Sequence, residues 1–179
     1  SSAASDVYKR QVLHINKDAY VCASPFVADY TLTGEDGQTV FSGEDFVEVY
    51  HLTADGAGEQ NVSIAAYSVN PDAETPEKTG YRRVGLEDSG CFSAETAGKL
   101  RAVVQWSYPH KDVSAIQAAA NPWLQSHGLP EIRHLQSGEA VLAAQLAIWE
   151  LTNQGKFTVN EYLSGWEDMT TPGWRNYLR

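Results

Sequence analysis

GEAVLAAQLAIWELT, residues 138–152, has the apolar spacing of a long α-helix and is the strongest helical segment of the chain. Ser137, just before it, is a favourable N-cap residue. A helix turns by about 100° per residue, and on that wheel four apolar side chains fall within about 60° of Gln145. These four are Val141, Leu142, Ile148 and Trp149. The spacing therefore predicts that Gln145 faces the protein core.

A buried glutamine needs an explanation, because its amide has N–H donors and a carbonyl oxygen to satisfy. Leaving such a group buried and unpaired costs about 1–3 kcal/mol. Gln145 could bond to the backbone of a nearby strand. Alternatively, its carboxamide could be an electrophile that a facing side chain attacks. Helical spacing alone does not choose between these two interpretations.

The chain before residue 90 has the composition of β-strands. Segments rich in β-branched and aromatic residues alternate with turn-forming Gly, Asp and Pro, a pattern typical of strands joined by turns. The predicted strands are residues 12–15, 20–23, 26–32, 39–41, 46–52 and 62–69. Residues 70–79 contain two prolines and are predicted to form a loop.

Helical spacing takes over after Cys91. Ser93 is a favourable N-cap for a helix that ends near Tyr108-Pro109. Residues 113–120 are predicted as a second helix, and Pro122 is predicted to open a short third one. Strands followed by helices predict an α+β fold, in which a β-rich sheet or barrel-like part precedes a helical part.

The two ends of the chain stand apart from this pattern. Residues 1–11 lack periodicity and are interpreted as a non-native or disordered leader, which leaves residues 12–179 as a single domain. The last ten residues stop within what could still be a helix, so we expect the domain to be part of a longer protein. No apolar run is long enough to cross a bilayer, so we expect no membrane insertion in this segment. The net charge of −10 argues against a nucleic-acid partner.

Cys22 and Cys91 are the two cysteines of the chain. A bridge between them would close a long loop, and two free buried thiols are the alternative. The five histidines show no metal-ligand spacing, and no cofactor motif is present, so neither a metal nor a cofactor is expected. The acidic doublets, such as Glu44-Asp45, are expected to be solvated turn residues. Trp166 and Trp174 in the tail could stack on sugars or on a partner.

Two motifs carry a resemblance to a known family. AQLAIW at residues 144–149 resembles the TQxAIW motif of the thioester domain of Gram-positive surface adhesins, with Ala144 in place of threonine. AYSVNP at residues 66–71 resembles the family's tyrosine-cysteine motif, with Ser68 in the position of the cysteine. Further matches in the same order are residues 81–88, 99–104 and 107–109.

The resemblance implies a specific chemistry. In the family, a cysteine thiolate attacks a glutamine carboxamide, expels ammonia and leaves a thioester, which a lysine amine on a host protein later opens. By this resemblance Gln145 is the acyl donor, Ser68 stands at the nucleophile position, and Tyr67, Tyr108 and Trp149 are binding residues. It also implies a bacterial cell-surface location within a cell-wall-anchored protein, and a host surface or matrix protein or a glycan as partner. Such a bond is consumed once, so an enzyme is not expected.

Serine changes that chemistry. A hydroxyl forms its nucleophilic anion far less readily than a thiol and needs an adjacent base, which the sequence neighbours of Ser68 do not supply. We therefore expect Ser68 and Gln145 to meet through a hydrogen bond without forming a reactive cross-link. Cys22 or Cys91 could instead act as the thioester partner. A non-covalent ligand-binding or stalk module is the alternative function, and a Cys91–His110 hydrolase pair lacks any local signature.

Overall fold

The computed structural model of the protein describes residues 12–16, 21–54, 63–76 and 78–164. The predicted leader, residues 1–11, and the tail from residue 165 onward lie outside these ranges. Within them, strands come first and helices follow, which confirms the predicted α+β fold. The elements are β1 (Val12–Ile15), β2 (Val21–Thr33), β3 (Thr39–Ala54), β4 (Ser63–Ala66), β5 (Tyr81–Arg82), α1 (Ala94–Gln105), α2 (Val113–Ser126), α3 (Ser137–Thr152) and β6 (Phe157–Ser164).

The strands form one antiparallel sheet in the order β5-β1-β3-β2-β6, with β4 also paired to β3. Strand β3 is long enough to pair with different strands along its length. Its first part pairs with β2, for example Gly43 with Tyr30, and its last part pairs with β1 and β4, for example Leu52 with Ile15 and Ile64. The sheet therefore curls along β3, and the predicted barrel-like character comes from this strand.

Strand β6 was not predicted, although it follows the helices in sequence. It returns to the sheet and pairs with β2, so that Val159 lies opposite Tyr30 and Phe157 opposite Leu32. A sequence signal was present, since Phe157 and Val159 alternate with polar Thr158 and Asn160. The strand covers the side of β2 that β3 leaves open and adds Phe157 to the core.

Two pairs of predicted strands are each one continuous strand, and one of these pairs, residues 39–41 and 46–52, lies within β3. Residues 20–23 and 26–32 merge into β2, which passes through Pro25 with a shift of register between Cys22 and Val27. A proline cannot donate to the ladder, and such an irregularity accommodates it.

The predicted strand at residues 62–69 is shorter than expected, because β4 ends at Ala66. Ser68 therefore lies in the irregular segment that follows β4.

The helices differ from the prediction in two places. Helix α3 begins at Ser137, so that its N-cap is Gln136 and not Ser137 as predicted. Helix α2 runs unbroken from Val113 to Ser126 and contains Pro122, where a new helix was predicted to begin. Proline removes one helical hydrogen bond, which usually interrupts a helix. Gln117 and Asn121 each donate to and accept from the backbone of residues 132–135, and these tertiary bonds hold the part of α2 that precedes Pro122 in place.

The core lies between α3 and the sheet. Tyr30 is at its centre, with ring centroids 4.7 Å from Phe41, 5.4 Å from Trp149 and 5.1 Å from Phe157. Helix α3 is buried on nearly all sides, including at Glu139 in its first turn. No helix among the described residues is both long enough and apolar enough to span a membrane.

Candidate functional site

Gln145 is in the middle of α3 and is 1% exposed, which confirms that it faces the interior. Its neighbours on the same face, such as Val141, Leu142 and Ile148, are buried as well. An uncharged amide in this environment must find its hydrogen-bond partners within the protein. The identity of those partners decides what Gln145 can do.

Gln145 is hydrogen-bonded to the backbone of Ser68. The backbone N–H of Ser68 donates to Gln145 Oε1 at 3.0 Å, and Gln145 Nε2 donates to the carbonyl oxygen of Ser68 at 2.6 Å. The side-chain amide thus donates one hydrogen bond to the backbone of residue 68 and accepts one from it, as the backbone of a neighbouring strand would. This confirms that the two residues meet through hydrogen bonds, and it places position 68 next to the acyl carbon of Gln145.

The hydroxyl of Ser68 is hydrogen-bonded to Asn70 and not to Gln145. Among the described residues, Ser68 Oγ bonds only with Asn70: it donates to the Asn70 carbonyl oxygen at 2.9 Å and accepts from the Asn70 N–H at 3.3 Å. This local bonding is common for serine in turns. No basic side chain receives the hydroxyl proton here, so nothing in this arrangement activates the oxygen as a nucleophile.

Tyr67 and Tyr108, two of the predicted binding residues, contact each other. The hydroxyl of Tyr67 donates a short hydrogen bond to the carbonyl oxygen of Tyr108, in the turn after α1. Burial of the ring raises the pKa of the Tyr67 hydroxyl well above its usual range, so it remains a donor. The bond anchors the segment before Ser68 to the helical half of the protein.

Trp149, the third predicted binding residue, is 5% exposed and packs on Tyr30 and Phe157. It also forms part of the wall of a cavity of about 220 Å³ that is lined by Ser68 and Gln145. Its indole N–H has no hydrogen-bond partner within the described part of the chain. Trp149 therefore contributes shape to the site, and its main contacts are with the core.

The same cavity is acidic, which the sequence analysis did not anticipate. Asp45, Glu48 and Glu74 line it, and the buried hydroxyl of Tyr30 donates to Asp45 Oδ2 at 3.0 Å. The doublet that contains Asp45 was expected to lie in a turn, but Asp45 is a half-buried residue of β3. Carboxylates around a concave surface raise the local concentration of cations. The sequence does not reveal this acidic cavity, because residues 45, 48 and 74 come together only in the folded sheet and the loop that follows it.

Cys91 is an exposed free thiol in the turn before α1, with Sγ 3.6 Å from the carbonyl oxygen of Ser89. The structure therefore does not contain the bridge to Cys22, and the expectation of burial is wrong for Cys91. The backbone of Cys22 pairs with Glu48 between β2 and β3, while its side chain lies outside the described residues. It is the backbone of Ser68 that contacts the Gln145 amide, whereas Cys91 lies in the turn before α1.

Other predicted groups are not at this site. Within the described ranges, no cluster of three or more His, Cys, Asp or Glu side chains could hold a metal ion. Trp166 and Trp174 lie outside those ranges. The exposed tryptophans that the structure does describe are Trp106 and Trp123, at 56% and 54% exposure, on the helical half.

Comparison with known proteins supports the resemblance of the motifs. The family model of the thioester domain matches residues 65–173, which include Ser68, Tyr108, Gln145 and Trp149. No curated protein and no solved structure gave a match. The matched segment covers more than half of the chain and spans both halves of the site. The chain therefore belongs to the thioester domain family and has the adhesin-type function of that family.

Proposed function

We propose that this protein is a bacterial surface adhesin domain that keeps the architecture of a thioester site but does not form the reactive bond. One observation carries the proposal. The carboxamide of Gln145 is bonded through both its oxygen and its nitrogen to the backbone of Ser68, while the Ser68 hydroxyl is bonded to Asn70. The acyl donor is thus in place, and an activated nucleophile is not.

The chemistry explains why the substitution matters. The N–H of Ser68 donates to Gln145 Oε1, the atom on which negative charge would develop during attack on the carboxamide. The site is therefore polarised for acyl transfer. A thiol at position 68 would ionise readily, since its pKa is near 8.5, whereas an alcohol needs a base that is absent from the contacts of Ser68. An ester would also have a poor leaving group and would react slowly with amines.

The acidic cavity supports a cationic partner group. Asp45, Glu48 and Glu74 line the same cavity as Ser68 and Gln145 and would attract a protonated amine such as a lysine side chain of a host surface or matrix protein. In this proposal the domain is extracellular and belongs to a longer protein anchored to the cell wall of a Gram-positive bacterium. Attachment to the partner is non-covalent in this chain.

Intact mass after expression tests the proposal. The wild-type protein is expected to have the full mass of its sequence, and incubation with methylamine is expected to leave that mass unchanged. The variant Ser68→Cys is expected to lose one ammonia and to gain one methylamine on incubation. The double variant Ser68→Cys with Gln145→Ala is the control and should do neither.

Each possible failure has a distinct meaning. Ammonia loss in the wild-type protein would show that a cross-link forms despite the serine. A folded Ser68→Cys variant without ammonia loss would show that Ser68 is not the nucleophile position. In the second case the same measurement on Cys22→Ser and Cys91→Ser variants would reveal whether either cysteine forms the bond.

A second candidate function is a ligand-binding or stalk module that uses the fold alone. The open cavity beside a non-reacting pair favours a binding role. Binding assays with host matrix proteins and with glycans, comparing the wild-type protein with Asp45→Asn, would test it. Binding that Asp45→Asn weakens would support the cavity as the binding site, whereas equal binding by both proteins would exclude it.

A further inference from the structure

Helix α3 contacts the segment around Ser68 at two points. Gln145 bonds to the backbone of Ser68, and Thr152, two helical turns later, donates from Oγ1 to the carbonyl oxygen of Val69 at 2.8 Å. Thr152 lies outside the AQLAIW motif at residues 144–149. Two contacts on adjacent residues fix both the position and the direction of a segment, which a single contact cannot do.

The hydroxyl of Thr152 lies near three carbonyl oxygens, two in its own helix and one at Val69. A threonine at the end of a helix commonly bonds back to its own helix, and the carbonyl oxygens of Ile148 and Trp149 are 3.0 Å and 3.4 Å away. The shortest of its three contacts is nevertheless the one to Val69. Asn153 Nδ2 donates to Thr152 Oγ1 at 2.9 Å, which occupies a lone pair and leaves the hydroxyl proton for a carbonyl oxygen.

We propose that Thr152 is a positioning residue of the acyl-transfer site: its bond to Val69 keeps residue 68 in register with the carboxamide of Gln145. The inference rests on the proposed function for its chemical part. Intramolecular reactions depend steeply on geometry, and a displacement of about 1 Å can cost on the order of a hundredfold in rate. Because Tyr67 is tied to Tyr108 on the other side, the register is set without a covalent bond.

The reaction that depends on this register is the formation of a thioester between residue 68 and Gln145. In the Ser68→Cys variant, the introduced sulfur forms a bond to Cδ of Gln145, and the bond from Cδ to Nε2 breaks. The nitrogen leaves as ammonia and carries away the proton of the thiol. No oxidant, metal or other reactant is required.

The first test uses the chain with its native serine. The backbone N–H of Ser68 donates to Gln145, so its hydrogen exchange measured by NMR reports the register directly. Thr152→Val is expected to speed this exchange roughly threefold to tenfold, the effect of losing one neutral hydrogen bond. Thr152→Ser keeps the hydroxyl and should behave like the wild type. Thr39→Val, the same change at an exposed position at the start of β3, is the control. Exchange at Ser68 that Thr152→Val leaves unchanged would overturn the proposal.

The second test uses the Ser68→Cys background. Concentrated ammonia should open the thioester and restore the glutamine, and after its removal intact mass follows the bond as it forms again. Adding Thr152→Val is expected to slow this step roughly tenfold to a hundredfold. Adding Thr152→Ser should restore the rate, which a merely structural role would not require. An equal rate in a folded Thr152→Val variant would overturn the proposal.

Two further outcomes separate this inference from the proposed function. If Ser68→Cys forms no thioester, the proposed function fails and the chemical role of Thr152 fails with it, even where hydrogen exchange shows that Thr152 holds the register. If neither Thr152→Val nor Thr152→Ala folds, Thr152 supports the fold as a whole, and the specific role proposed here is wrong.

Discussion

Gln145 and Ser68 are 77 residues apart in sequence and share two hydrogen bonds, one from Gln145 Nε2 to the Ser68 carbonyl oxygen and one from the Ser68 N–H to Gln145 Oε1. A side chain of a helix thus completes the backbone bonding of a segment that has just left the sheet. The pair links the two halves of the α+β fold at the place where the thioester domain family model is matched. The position of the site is therefore determined by the packing of α3 in the core.

Replacing Gln145 should consequently destabilise the protein. Gln145→Leu keeps a similar volume but leaves the N–H and the carbonyl oxygen of Ser68 without their partner, and an unsatisfied buried group costs about 1–3 kcal/mol. Chemical denaturation should show a loss of that size in the free energy of unfolding. Gln154→Leu, an exposed position after the same helix, is the control and should cost much less. Equal losses in both variants would show that the Gln145 amide contributes nothing specific.

Glu139 should make stability depend on pH. Burial raises the pKa of its carboxyl, against the opposing effect of the hydrogen bond from the Gln136 backbone. A carboxyl whose pKa is higher in the folded state favours folding most at a pH below its unfolded value, about 4.3, and that contribution is lost as the pH rises through the folded pKa. The free energy of unfolding of wild type minus that of Glu139→Gln should therefore decrease as the pH rises above about 4. A difference that stays flat or grows with pH would contradict this, and Glu150→Gln, exposed on the same helix, is the control.

Much of the fold could be predicted because local patterns determine it. Helical spacing predicted α3 and the burial of Gln145, and the N-cap Ser93 correctly marked the start of α1. The errors came where tertiary contacts override local preference. Pro25 lies inside a strand and Pro122 inside a helix, because a register shift in one case and side-chain bonds to a neighbouring loop in the other compensate for the missing N–H.

The contact between Ser68 and Gln145 was expected from the motifs, whereas most of its geometry was not. The burial of Gln145 already suggested that its amide bonds to a nearby backbone, as it does at Ser68, but no local pattern shows that the Ser68 hydroxyl would bond to Asn70. The acidic lining was missed for the same reason, since Asp45 and Glu74 come from distant parts of the chain. Long-range pairing of this kind depends on the packing of α3 against the sheet.

Asn121 should control the loop between α2 and α3. Its side chain donates to the carbonyl oxygen of Ile132 at 3.0 Å and accepts from the Ile132 N–H at 2.9 Å. Asn121→Ala removes both bonds, so we expect backbone hydrogen exchange at Ile132 to rise and the protein to lose about 1–2 kcal/mol of stability. Gln105→Ala, at the exposed end of α1, should change neither quantity. Unchanged exchange at Ile132 in Asn121→Ala would mean that other contacts hold the loop.

Cys91 should react as a free surface thiol. It is exposed, and its nearest described partner is the carbonyl oxygen of Ser89, so a maleimide should modify it in the native protein without prior reduction. Peptide mass mapping should place the label on Cys91, and Cys91→Ser should remove that labelled peptide. Labelling of Cys91 only after treatment with a reductant would instead indicate a disulfide. Because a disulfide needs Cα atoms within about 7 Å, that result would require the turn before α1 and the start of β2 to lie together. The native labelling experiment thus tests the placement of α1 as well as the chemistry of the thiol.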